Sequence, residues 1–278
     1  MLDKLDLFLE IEELLEECDN YPFGNDYYDD KYPYELITSP FIENGKFTIE
    51  NFLLWQGFIE LVSWDEFVSD VELEIISCEN DYPSIAEQYQ NFLIFIQENL
   101  QDIQIYKVKL EEINEGEKEF EEAHVYCIIG FIENFWLGLT PKIDNEWYYG
   151  DTLSSTTNLT PKINEVINKL NLNFQESLML LSMAVDDYLA DSYKIEIVKS
   201  RQLIIKKLLD SGCYCWTEEY NPNFKHKTGG KINRLLIDNL SEVEKYYIWG
   251  FDGWFIYIGG IAEDGDWIGL YTRKEYYY

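Results

Sequence analysis

Positive charge is scarce in this chain. Its 278 residues carry 21 Lys and Arg against 53 Asp and Glu, a formal net charge of -32 with a pI near 4.2. Such a field repels nucleic acid, anionic membranes and free phosphate ligands, and leaves basic protein surfaces or multivalent cations as partners. Histidine is nearly absent, with only His124 and His226, and neither stands in a HExxH, Cys-His or Ser-His-Asp setting. A surface or strand-end role is therefore favoured over a ligand or a base. Cysteine is odd in number and irregularly spaced, at positions 18, 78, 127, 213 and 215, which fits reduced thiols rather than a disulfide framework. No apolar run approaches membrane-spanning length; the longest nearly apolar stretch is residues 178–185. The opening residues interleave acids with apolar side chains, unlike a signal peptide. A soluble, cytoplasmic chain is expected.

What is abundant is aromatic and apolar: 17% Phe, Trp and Tyr within 46% hydrophobic residues. Disordered acidic chains lack that content, so packed cores are expected, and the length suggests two domains. The charge is lopsided between halves. Residues 1–150 hold 7 Lys and no Arg against 35 acids, a balance of -28; residues 151–278 hold 14 basic residues against 18 acids, a balance of -4. Between them the small, polar, aperiodic stretch around residues 150–162 reads as a linker. The expected domains are thus 1–149 and 163–278.

The two halves repeat one order of pieces. Each opens on helical periodicity: Leu7, Ile11, Leu14 and Leu15 in the first, and Leu178, Leu181, Val185 and Leu189 in the second. An extended element follows, Tyr32-Pro33-Tyr34-Glu35-Leu36-Ile37 and Tyr193-Lys194-Ile195-Glu196-Ile197-Val198. Later Phe92, Phe95 and Ile96 lead to Asn99-Leu100 and on to Tyr106; Ile232, Leu235 and Leu236 lead to Asn239-Leu240 and on to Tyr246, at the same spacing. Both halves finish on a hairpin, with Trp136 and Trp267 at matched positions as expected core pins. Asp-Gly pairs at 252–253 and 264–265 predict a three-stranded meander from Tyr246 to Thr272. Residues 199–212 predict a helix closed by Gly212 in the left-handed region. The expected fold is α+β: two repeated α/β/α-sandwich-like domains, each an antiparallel sheet flanked by helices.

One insertion breaks the parallel. Residues 110–123 hold seven Glu and one Lys, including Glu112, Glu115 and Glu117. This is either a solubilising loop or a direct contact element. No catalytic constellation emerges. Cys213 and Cys215 lack the further ligands of a metal site, and Thr228-Gly229-Gly230-Lys231 lacks the first Gly and the Ser/Thr of a phosphate loop, so it reads as a turn before a helix. No enzyme activity and no cofactor are expected.

Tyr32-Pro33-Tyr34-Glu35 preceded by acids, the helix ending Phe-Ile-Gln-Glu-Asn-Leu, the strand Ile105-Tyr106-Lys107-Val108 and the hairpin Val125 to Thr140 together resemble the nuclease A inhibitor family. The likeness spans most of residues 1–145, with a diverged copy over about 172–278. The resemblance implies an α/β/α sandwich that inhibits a sugar-nonspecific, Mg²⁺-dependent DNA/RNA endonuclease by covering its active site. It also implies that an acid upstream of the YP[FY]E motif, here Asp29 or Asp30, reaches the nuclease metal, although Lys31 departs from the pattern. It further implies a role for the C-terminal carboxylate, here at Tyr278, unless Asp144 or Glu146 substitutes in the first copy. Glu35 and the insertion carboxylates complete the expected contact surface. The competing expectations are a DNA mimic or immunity protein against another nucleic-acid-binding, restriction or toxin target, a metal-dependent hydrolase, and a solubilised scaffold.

Overall fold

A computed structural model describes residues 2–18, 33–40, 47–78, 83–109, 124–143, 159–174, 182–183, 190–212, 214–219, 227–250 and 253–275. The chain is α+β, with two antiparallel sheets and helices packed on them. It divides into two compact units, and neither is a continuous half of the sequence. One is assembled from Met1–Gln56 and Cys215–Tyr278, the other chiefly from Gly57–Glu111 and Lys118–Tyr214.

The first unit contains helix α1 (Lys4–Glu16), strand β1 (Glu35–Ser39), helix α2 (Ile49–Gln56), strand β8 (Cys215–Glu219), helix α7 (Lys227–Asn239) and strands β9 (Ser241–Gly250), β10 (Gly253–Ile261) and β11 (Trp267–Glu275). The strand order is β1-β11-β10-β9-β8. Alternation along β10 and β11 sends Tyr257, Trp267 and Tyr271 to one face and Ile256, Ile258, Ile268 and Leu270 to the other. On the aromatic face Phe52 of α2 meets Tyr257 edge-on at 5.0 Å and Trp267 at 4.9 Å. Gly259 and Gly269 are needed here because the Trp267 indole lies over them: a Cβ on Gly269 would fall 2.3 Å from its Cη2. Trp267 is fully buried, as its hairpin position predicts, whereas Trp136 is only half-buried. Helices α1 and α7 pack on one another and against β1 and β9.

The second unit contains β2 (Ile59–Val62), α3 (Trp64–Cys78), α4 (Pro83–Asn99), β3 (Gln101–Lys109), β4 (His124–Ile132), β5 (Phe135–Ile143), α5 (Pro161–Asn173), β6 (Ser182–Met183), β7 (Ala190–Val198) and α6 (Arg201–Ser211). Its order is β2-β3-β4-β5-β7, with β6 paired to the start of β4. Ile105, Tyr126, Ile128, Leu137 and Leu139 join Phe67 and Val71 of α3, Tyr89, Phe92 and Ile96 of α4, and Ile163, Val166 and Leu170 of α5 in one core. The opposite face, with Cys127 and Thr140, receives α6, whose Leu208 occupies the space a side chain at Gly138 would take. This unit is therefore an α/β/α sandwich.

Read outward from the edge that each leading segment supplies, the sheets follow one plan: β1-β11-β10-β9-β8 against β7-β5-β4-β3-β2. Local geometry recurs with it. Asp102 and Glu242 both take positive φ, 49° and 51°. Asn99 and Asn239 each donate to the carbonyl four residues back, at 2.8 and 2.9 Å. Tyr106 and Tyr246 each donate to the side chain two residues before, Gln104 and Glu244. The leading segments are exchanged, however. β1, from the first half, completes the sheet of β9–β11, while β7, from the second, completes the sheet of β3–β5. The expected division into 1–149 and 163–278 is not how the units are built.

Five local expectations change. The opening helix of the second half is α5, whose Thr160 hydroxyl accepts from Ile163 N at 3.3 Å with Pro161 in the first turn; it begins inside the expected linker and uses a Pro suited to a helix start. Within the apolar stretch near 178–189, the described residues Ser182–Met183 are a strand, not a helix. The tyrosine elements align two residues differently: Ile37 and Glu196, not Glu35 and Glu196, lie opposite the matched glycines Gly269 and Gly138. Gly212 is right-handed, φ -79°, and is Gly because a Cβ would sit 2.2 Å from the Tyr214 ring. The Gly229-Gly230 pair also lies within α7 rather than before it.

Candidate partner-binding surface

Of the residues expected to contact a partner, Glu35 alone lies in the described structure. It opens β1, is exposed, and stands opposite Tyr271 at the edge of its sheet. Asp29, Asp30, Glu112, Glu115, Glu117 and Tyr278 lie outside the described residues, as do Asp144 and Glu146. The described structure therefore does not bring the expected set together. It does show two acidic helices that composition alone left unplaced.

The first is α1. Asp3 caps it, its carboxylate accepting from Asp6 N at 2.9 Å. Leu7, Ile11 and Leu15 are its buried stripe. Lys4 pairs with Asp266, and the Leu2 amide donates to Asn239 Oδ1 at 2.7 Å, so the N-terminal end of the helix is tied to its own unit. The remaining side of the helix carries the exposed acids Asp6, Glu10, Glu12, Glu13, Glu16 and Glu17 beside exposed Leu5 and Leu9. Lys231 reaches Glu17 at 3.5 Å. Among the described residues no cation pairs with the other five.

The second is α3, which has no counterpart between β8 and α7 among the described residues. Ser63 caps it, accepting from Glu66 N at 3.1 Å. Phe67 and Val71 are buried, while Asp65, Glu66 and Glu72 are exposed. Asp70 faces the sheet and accepts from the Tyr126 hydroxyl at 2.5 Å. That phenol is held far above its usual pKa, first by burial and then by its bond to Asp70. Tyr89 and Tyr246 are raised for the same leading reason, burial, each with a carboxylate nearby, Glu72 and Glu244.

All three stay neutral: Tyr126 and Tyr246 donate to Asp70 and Glu244, while the buried Tyr89 hydroxyl has no hydrogen-bond partner among the described residues. Cys127 is likewise disabled as a nucleophile: burial pushes its thiol up to about 12, against a smaller lowering by its bond to Thr140. Glu196, half-buried on β7, is raised by burial despite Lys207 at 3.8 Å. Among the described residues no cluster of His, Cys, Asp or Glu has the geometry to hold a metal ion, and no helix is long and apolar enough to cross a membrane. His124 packs edge-on against Tyr126 at 5.1 Å.

The signal for both helices was present in the spacing. In α1, acids occupy the positions the buried stripe skips; in α3, Ser63-Trp64-Asp65-Glu66 has the form of a capping box. What the site offers chemically is fixed negative charge on packed helices. No protein-family model, no curated protein and no solved structure matches the chain.

Proposed function

We propose that this chain is an acidic protein inhibitor that binds a basic, Mg²⁺-dependent, non-specific DNA/RNA endonuclease and occludes its active site. The observation that carries the reading is the concentration of charge: -28 in residues 1–150, with exposed carboxylates on α1 and α3 of which, among the described residues, only Glu17 meets a cation, Lys231. The resemblance to the nuclease A inhibitor family agrees with it. A nuclease groove presents Lys and Arg for phosphates beside a divalent ion, so carboxylates held on a folded surface can fill phosphate subsites and approach the metal. Long-range attraction then speeds association and makes it steeply salt-dependent.

The second reading is a DNA mimic or immunity protein against another nucleic-acid-binding, restriction or toxin target. One feature favours it: Asp6, Glu10, Glu13 and Glu17 form a row along α1, with steps of roughly 4.5–6 Å given the helical rise. A row distributes the interaction, whereas a plug concentrates it. Titrating a basic Mg²⁺-dependent endonuclease with the chain separates the two. Inhibition should be complete near equimolar ratio and weaken as salt rises. Asp29→Ala and Asp30→Ala together should remove most inhibition if a plug reaches the metal, and little if the row mimics phosphates. Absence of inhibition of any basic nuclease would reject the first reading.

A further inference from the structure

The exposed side of α1 is not purely acidic. Leu5 and Leu9 stand on it, 66% and 50% exposed, and Glu12 and Glu16 continue the same line. The steps from 5 to 9, 12 and 16 alternate four, three and four residues, the seam spacing by which one helix packs lengthwise on another. Asp6 and Glu13 flank this seam on one side. Two large apolar side chains adjacent on an otherwise charged face are costly to hydrate, and half or more of each remains open to solvent.

We propose that this seam docks an amphipathic basic helix of a partner protein, with apolar residues against Leu5 and Leu9 and Lys or Arg against Glu12 and Glu16. Charge selects the occupant. A second copy of the chain would set Glu12 and Glu16 against their own copies in parallel packing, or against Leu9 and Leu5 in antiparallel packing, with no cation for them either way, and the net charge of -32 opposes self-association, nucleic acid and anionic lipid alike. A purely electrostatic contact would make no use of the leucines; the seam reads both properties at once. It shares with the preceding reading the basic partner and the acidic side of α1, and adds the leucines. It assigns recognition to α1 rather than to Asp29 and Asp30, so a failure here leaves nuclease inhibition standing, and the reverse holds too.

The test uses the full chain and two synthetic helical peptides of equal length and charge. One is built of Lys and Leu in amphipathic order; in the other Gln replaces each Leu. At physiological salt the Lys/Leu peptide should bind at least about tenfold tighter, equivalent to about 1.4 kcal/mol. Leu5→Ser with Leu9→Ser should erase that preference while leaving the Lys/Gln peptide unaffected, and Glu12→Gln with Glu16→Gln should weaken both. On the unaltered chain, a photo-crosslinker in the Lys/Leu peptide should map to residues 5–16. Equal binding of the two peptides, a preference that survives the Leu substitutions, or crosslinks elsewhere would overturn the proposal. So would sedimentation showing a dimer that the Leu substitutions dissolve, because the occupant would then be a second copy.

Discussion

Single positions decide how closely helices approach these sheets. Gly138 and Gly230 make a contrast. A methyl at Gly138 would lie 2.6 Å from Leu208 Cδ1, in the middle of the contact between β5 and α6, whereas one at Gly230 in α7 meets nothing within 4 Å. Gly138→Ala should therefore cost about 1–3 kcal/mol by overpacking. Gly230→Ala should stabilise by up to about 1 kcal/mol through helix propensity. Chemical denaturation of the two variants checks both signs. Some of this residue-level detail was legible beforehand: Asn99-Leu100 and Asn239-Leu240 sit at helix ends with the same hydrogen bond because the same spacing precedes them. Gly212 was not. Its role depends on Tyr214 folding back over it, a contact that composition and periodicity do not encode.

At the scale of elements, hairpins and amphipathic helices are written locally and were read well. β10 and β11 turn at Asp264-Gly265, where Gly265 takes φ 93°, as an Asp-Gly pair between alternating strands predicts. α5 is masked in the sequence because its own start signal, Thr160 followed by Pro161, lies inside a polar, aperiodic stretch. The acidic faces of α1 and α3 are hidden in the composition for a different reason: a charge balance over half the chain carries no information about which carboxylates share one side of a helix. α1 presents its seam only while its first turn is set, and Asp3 sets it. Asp3→Ala should lower stability by about 1 kcal/mol. The readout is the unfolding midpoint, and an unchanged midpoint would show that the ties through Lys4 and Leu2 suffice without the cap.

For the whole molecule, the exchange of leading segments is the feature no local pattern announces. Strand pairing between β1 and β11, or between β5 and β7, is decided by which edge is open when the chain collapses. The two candidate edges follow the same plan. Each unit draws on both halves, so cutting the chain should not separate it. With a protease site placed among residues 150–158 and cleaved, the two fragments should co-elute as one folded 1:1 species and part only in denaturant. Two independently folded fragments would contradict the exchange.

The pairing of Glu35–Ser39 with Trp267–Tyr271 also sets an order of events on the ribosome. The strand made near the beginning cannot find its neighbour until more than 200 further residues have been added, roughly 10–40 s at ordinary elongation rates. Throughout that interval β1 lacks its neighbour β11, whereas β5 waits only until β7 has been made, well before β11. The same charge that selects partners for the finished protein keeps neighbouring nascent chains apart while those edges wait.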